Sequence, residues 1–307
     1  MPLKLLILEP NNYPESAIQM LKNSGYEVEY WDSNAPTNYY IDVSVLMVRL
    51  GYYIDSEFVS QFVQLKTIIT PTTGVTHISQ DVRERLTIIK IDPEDSYIGE
   101  ITPTAEHAIL LALMAQRNIK QIFQNINDNF SRPSSSYGSL KQAKVLIFGH
   151  GRIGAHVARL IKPFTQIDPD TYDIIPERCS ISEADLKNKI CSYNLIFICT
   201  KFTGEIQIDK EFIRKIGKKS ILINIARGEL VDEVAILNKL KNNLDFYYCT
   251  DVLTDEHVYR NNILYNGKDE HENLILTPHI GGFCINSLNF IEWNIVAKFL
   301  NKNLCNV

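Results

Sequence analysis

Residues 144–154 read Lys-Val-Leu-Ile-Phe-Gly-His-Gly-Arg-Ile-Gly, an apolar run that enters glycines at 149, 151 and 154. Ile153, Val157, Leu160 and Ile161 follow at helical spacing, so the segment reads as strand, turn and helix. The chemistry such a turn can do is anion binding. Gly149 permits the tight turn, Gly151 removes a Cβ where backbone would approach a pyrophosphate, and Gly154 lets helix and strand pack closely. The unpaired N–H groups and positive dipole end of the helix then hold the phosphate charge. Three glycines alone are a weak signal, but between a strand and a helix they point to a bound dinucleotide. A carboxylate about 20 residues further on should take the ribose hydroxyls. Asp173 is the candidate, with Asp168 and Asp170 competing and Pro169 awkward for a central strand.

Three further segments each end a predicted strand: 224–232, which carries Arg227; 250–256, which carries Asp251 and Glu256; and 276–282, which carries His279 and Gly282. Residues at the carboxyl ends of parallel strands face a ligand crevice. Taken singly, each has a plainer explanation: an arginine is usually a surface charge, Glu256 stands in an acidic turn, and a histidine after proline often caps.

The elements that must position these residues are legible as alternation. Strands are expected over 3–8, 27–31, 43–48, 67–70 and 87–91, separated by stretches of helical periodicity, with a helix over 14–23. A long amphipathic helix is expected over 104–120, then a polar surface loop over 125–139. A second series follows, with strands over 145–148, 195–199, 220–225, 246–252 and 274–276. Asp209 and Asp232 stand where N-caps are needed, and a last helix is expected over 285–300. Alternation of this kind implies parallel sheets covered on both faces, hence an α/β chain. A length of 307 residues suits two domains.

Composition narrows the function class. Hydrophobic residues at 45% and charged residues at 22% describe a packed globular chain. With 31 Lys and Arg against 36 Asp and Glu, a net charge of -5 gives no general attraction to phosphate backbones or anionic lipid, so neither nucleic acid nor membrane is expected as a partner. No signal peptide or long apolar span is expected. The six cysteines, at 179, 191, 199, 249, 284 and 305, lack metal-ligand spacing. They fit a reducing, cytoplasmic setting with no bound metal, and Cys199 and Cys249 read as buried thiols.

In this order, the glycine turn, Ala-Arg-Gly-Glu-Leu-Val-Asp at 226–232 and Thr-Pro-His-Ile-Gly-Gly at 277–282 resemble the D-isomer-specific 2-hydroxyacid dehydrogenases over nearly the whole chain. Val48-Arg49-Leu-Gly51 and Thr72-Thr73-Gly74-Val75 look like that family's substrate-side loops, and Ala105-Glu106-His107 like its interdomain helix. The resemblance implies two doubly wound parallel-sheet domains, Rossmann-like or flavodoxin-like, with a cleft between them. Residues 1–100 plus 283–307 would form the substrate domain and 101–282 the NAD domain, in a homodimer. It implies NAD as cofactor, with NADP not excluded, and a small 2-hydroxy or 2-keto acid as substrate. Arg227 would hold the substrate carboxylate, His279 would move the proton and Glu256 would orient His279. Arg152 and Ile153 would meet the pyrophosphate, while Thr200, Ile225, Ala226, Asp251 and Gly282 would line the nicotinamide side. Arg49, Gly51, Thr73 and Gly74 would serve the substrate. The sequence departs from the family pattern at His257, where proline is common, and at residue 201, where the proline after Thr200 is missing. The alternative is an NAD(H)-sensing binding protein on the same fold.

Overall fold

The computed structural model describes residues 3–36, 39–93, 95–125, 138–205 and 207–304. Most of the polar loop expected over 125–139, and Cys305, lie outside the described residues. The chain divides into two compact units, Met1–Ile101 with Cys284–Val307, and Thr102–Phe283.

The first unit carries β1 (Leu3–Ile7), β2 (Tyr26–Tyr30), β3 (Val43–Met47), β4 (Thr67–Thr70) and β5 (Thr87–Lys90), all parallel in the order β2-β1-β3-β4-β5. The central strands are apolar at successive positions because both faces are covered. Leu6, Leu46 and Ile68 pack with Ile54 and Phe62 on one side. Leu5, Ile7, Met47 and Ile69 pack on the other with Ile18, Leu21, Ile295 and Val296, the last two from the helix Ile285–Leu304. Each such side chain, fully buried, contributes about 1.5–3 kcal/mol. A one-residue slip would exchange the two faces and lose this match, so register is strongly set.

The second unit carries β6 (Val145–Phe148), β7 (Asp170–Tyr172), β8 (Leu195–Ile198), β9 (Ile221–Asn224), β10 (Tyr247–Thr250) and β11 (Leu274–Leu276), again all parallel, in the order β11-β10-β9-β8-β6-β7. The chain leaves β6 to one side for β7 and returns on the other side with β8. That reversal opens a crevice at the carboxyl ends of the strands. β7 is an edge strand of three residues that begins just after Pro169, which removes the difficulty of a proline in a central strand. Asp209 and Asp232 cap their helices, accepting from the N–H groups of Phe212 and Ala235. The single helix expected over 104–120 is two, Pro103–Gln116 and Ile119–Asn125, because Asn118 turns to φ +49° between them. Asparagine tolerates that left-handed conformation and so ends the first helix. Cys249 is buried and Cys199 partly so. Among the described residues no helix is long and apolar enough to cross a membrane.

The first unit also buries an ion pair. Arg49 Nε donates to Glu292 Oε1 at 2.6 Å, Nη1 donates to the Asn11 carbonyl at 2.8 Å, and the guanidinium lies 4.3 Å from the Tyr13 ring centre. Burial pushes the Glu292 carboxyl above the usual range despite its partner. Such a pair is costly to break and adds little net stability. Glu292→Ala should therefore lower unfolding free energy by about 3–5 kcal/mol. The double change Arg49→Met with Glu292→Leu should recover most of that loss in urea denaturation.

Candidate active site

The glycine turn divides its work among three residues. Gly149 has φ +95°, and a Cβ there would lie 2.5 Å from the backbone N and Cα of Thr200. At Gly154 it would lie 2.0 Å from the Gly149 carbonyl oxygen. These two positions are closed by packing. Gly151 is open, with a Cβ there making at most an ordinary contact with Arg178 Nη1 at 3.9 Å among the described residues. Open backbone at the start of the helix Arg152–Ile161, whose first N–H groups have no intrahelical acceptor, suits a pyrophosphate. Burial lowers the Arg152 guanidinium below its ordinary value. Asp173 follows β7 and accepts from the His150 N–H at 2.6 Å and the Ile175 N–H at 3.0 Å. Its rivals are engaged elsewhere: Asp168 pairs with Lys162 at the surface, and Asp170 accepts from the Tyr193 hydroxyl at 2.6 Å. Of the three carboxylates, Asp173 is the one bonded to the glycine turn.

Arg227, Glu256 and His279 rise from β9, β10 and β11, which are neighbours in the sheet. His279 Nδ1 lies 2.7 Å from Glu256 Oε2, while Glu256 Oε1 accepts from the Leu253 N–H at 3.1 Å. An ionised carboxylate has no proton to give, so Nδ1–H donates and Nε2 is left for other chemistry. His279 itself has φ +53° and Asp255, just before Glu256, has φ +51°. Left-handed conformations at residues with a Cβ cost on the order of 1–3 kcal/mol each and persist where the surroundings enforce them.

Several groups do the enforcing. Asn224, at the end of β9, accepts from the Ala226 N–H at 3.1 Å and donates to the Arg227 carbonyl at 2.9 Å, so Ile225, Ala226 and Arg227 form a tight turn. Arg227 Nη1 donates to the Ala226 carbonyl at 2.6 Å. A Cβ on Gly228 would fall 2.0 Å from the Leu253 carbonyl carbon, so the arginine segment meets the segment leading to Glu256 backbone against backbone. Glu233 braces that segment from below, accepting from the Thr254 N–H at 2.9 Å and from Asn262 Nδ2 at 2.6 Å.

Asp251 governs the His279 loop. Its Oδ1 accepts from Thr277 Oγ1 at 2.6 Å and the Ile280 N–H at 2.9 Å, its Oδ2 from the Gly281 N–H at 2.7 Å, and its carbonyl from the His279 N–H at 2.9 Å. Burial alone would raise this carboxyl. The bonds from His107, Thr277, Gly281 and Ile280 outweigh it and hold the group below the usual carboxylate range. The glycine the packing demands is Gly281, where a Cβ would stand 2.8 Å from Asp251 Oδ2, whereas at Gly282 it would make only an ordinary contact with Thr104.

Within the first unit, the backbone N–H groups of Arg49 and Gly51 donate to Glu9 at 2.6 and 2.9 Å, so this loop is wrapped around an internal carboxylate. The Thr73 carbonyl accepts from Lys90, and the Gly74 carbonyl from the Thr72 hydroxyl at 2.6 Å. Glu9 and Glu233 escape a motif reading, and Asn224, Gly228 and Gly281 fall inside the quoted segments without an assigned task, because their partners are distant in sequence or are backbone atoms.

Comparison with known proteins gives a consistent setting. Residues 109–281, more than half of the chain, match the family described as D-isomer specific 2-hydroxyacid dehydrogenase, NAD binding domain. The chain is 27% identical to D-3-phosphoglycerate dehydrogenase of Bacillus subtilis over 82% of its own length and 47% of that protein. It is 26% identical to glyoxylate reductase of Pyrococcus furiosus over 95% of its length and 88% of that protein. The chain thus spans about half the length of the phosphoglycerate dehydrogenases it matches. In fold it is similar to a D-lactate dehydrogenase from Aquifex aeolicus solved with NAD and lactic acid, with a TM-score of 0.73 at 22% identity over 99% of this chain and 97% of that one.

The depressed Asp251 carboxyl has a stability consequence with a definite sign. Its contribution is complete above the unfolded value of about 3.9 and is lost as pH falls through the lower folded value. Asp251→Asn should therefore destabilise the protein at neutral pH by about 1.5–3 kcal/mol. In denaturation measured across pH, the gap between variant and wild type should close as the medium is made more acid than about pH 3.9.

Proposed function

Because the chain belongs to the D-isomer specific 2-hydroxyacid dehydrogenase family, we propose that it interconverts a small D-2-hydroxy acid and its 2-keto acid with NAD as the hydride carrier. The observation that carries this reading is the 2.7 Å bond of His279 to Glu256, on the same carboxyl edge as an open glycine turn. When bound, the nicotinamide supplies a hydride to C2 in reduction or accepts one in oxidation. The turn at Gly149, Gly151 and Gly154, with the first N–H groups at Arg152 and Ile153, would hold the pyrophosphate. Asp173 would take the adenosine ribose hydroxyls, a placement that favours NAD over a 2′-phosphate. Thr200, Ile225, Ala226 and Gly282 would line the nicotinamide side.

Arg227 would bind the substrate carboxylate and polarise the C2 carbonyl, since a guanidinium has five donors and the bond to the Ala226 carbonyl engages Nη1. In reduction, the electron pair of the C2–O double bond collects on oxygen. His279 Nε2–H delivers its proton there, and in oxidation Nε2 takes that proton back. Glu256 would hold Nδ1–H and so orient the imidazole with Nε2 toward the substrate oxygen. The balance is one keto acid, one NADH and one proton to one hydroxy acid and one NAD. Names of the relatives, which include D-3-phosphoglycerate dehydrogenase and glyoxylate reductase, support this reaction class. We also propose a cytoplasmic setting, in keeping with the free cysteines among the described residues, and a homodimer, as the family resemblance implies; size-exclusion chromatography with light scattering should then give twice the chain mass.

NADH oxidation should be followed with glyoxylate, pyruvate, hydroxypyruvate and 2-ketoglutarate. Turnover of at least one is expected, and turnover of no 2-keto acid would sink the assignment. On the substrate that turns over, His279→Gln should lower kcat by about 10²–10⁴-fold. Arg227→Ala should lower kcat/KM by roughly 10- to 150-fold, the worth of a charged hydrogen bond at about 1.5–3 kcal/mol.

A further inference from the structure

The helix Pro103–Gln116 places His107 against the loop that bears His279. His107 Nε2 lies 2.9 Å from Thr277 Oγ1 and 3.4 Å from Asp251 Oδ1. The direction of these bonds follows from proton counting. Thr277 Oγ1 has one proton, and its neighbour at 2.6 Å is an ionised carboxylate that can only accept, so the hydroxyl proton goes to Asp251. Thr277 must then accept from His107, which fixes the imidazole with a proton on Nε2. Asp251, so engaged, receives Ile280 and Gly281 through its carboxylate and the His279 N–H through its carbonyl. These bonds hold the residue at φ +53° from which the imidazole reaches Glu256.

We propose that His107 is a positioning residue for the proton-transfer group: by donating Nε2–H to Thr277 it commits the threonine proton to Asp251 and keeps His279 in its left-handed backbone conformation, aligned on Glu256. His107 need not touch a substrate or a cofactor to do so. The inference rests on the activity assigned above to His279, and its test separates the two.

The substitutions that discriminate are His107→Phe, which fills the space without a donor, and His107→Gln, whose amide can place an N–H near the same point. If His107 positions His279, His107→Phe lowers kcat by about 10- to 100-fold, the size of effect expected when a group is misplaced by an ångström. NADH binding, read by fluorescence, stays near wild type, and His107→Gln restores most of the rate. A readout independent of turnover is the downfield imidazole N–H proton in the NMR spectrum, assigned to His279 by its loss in His279→Gln. It should exchange rapidly or vanish in His107→Phe and persist in His107→Gln. If the wild type turns over no keto acid but the proton follows this pattern, the positioning inference stands and the activity assignment falls. Unchanged kcat and an unchanged proton in a folded His107→Phe would overturn the inference. Should His107→Phe fail to fold, Thr277→Val against Thr277→Ser makes the same test, since only serine keeps the relaying hydroxyl. Equal behaviour of those two would likewise overturn it.

Discussion

A carboxylate withdrawn from water must collect hydrogen-bond donors or give up its charge, and Asp251 collects them from the loop that carries His279. The rest of the site follows from that demand. The loop can satisfy the carboxylate only by curling, curling requires a left-handed residue, and the residue in that position is the histidine. The strain at His279 is thereby offset by charge-assisted hydrogen bonds, each worth more than a neutral one. A second anchor operates at β9, where Asn224 folds the backbone of 225–227 onto itself and presents Arg227 at the strand end. Both anchors are polar groups at the ends of buried strands, where the apolar core stops and a donor or acceptor can be enclosed without losing its partner.

Most of the architecture is legible as pattern. Apolar runs of four or five residues, separated by helical periodicity, announce parallel strands because a sheet covered on both faces leaves no polar alternation. The glycine turn is readable since its three residues are local, and the capping aspartates at 209 and 232 are readable for the same reason. What the pattern does not carry is pairing at a distance. Nothing about Glu9 in sequence says that its carboxylate will organise the backbone of Arg49 and Gly51, nor that Arg49 will be turned toward Glu292 at the other end of the chain. The helix break at Asn118 is missed because apolar spacing continues through it, while the backbone reverses its φ at one residue. Gly281 and Gly228 are visible as letters, but what makes them necessary is a carboxylate oxygen in one case and a carbonyl carbon in the other.

The two sheets solve the same problem with different means of closure. In the first unit the terminal helix supplies Ile295 and Val296 to one face of the sheet and Glu292 to the buried guanidinium, so residues from both ends of the sequence share one core. In the second unit all elements are consecutive, and among the described residues the reversal beside β6 is where neighbouring strands feed their loops to opposite sides. A crevice at that point is a property of the winding order, whatever side chains decorate it. Chemistry is then set by which residues terminate β9, β10 and β11.

The approach of Gly228 to the carbonyl of Leu253 has a consequence for redesign. Two main chains in van der Waals contact leave nothing between them that can be exchanged for a larger or smaller group, so the spacing of the backbone segments that carry Arg227 and Glu256 is set by the contact itself. Variation in side-chain size has to be introduced by loops outside this seam, and the seam itself can be carried unchanged from one variant to another.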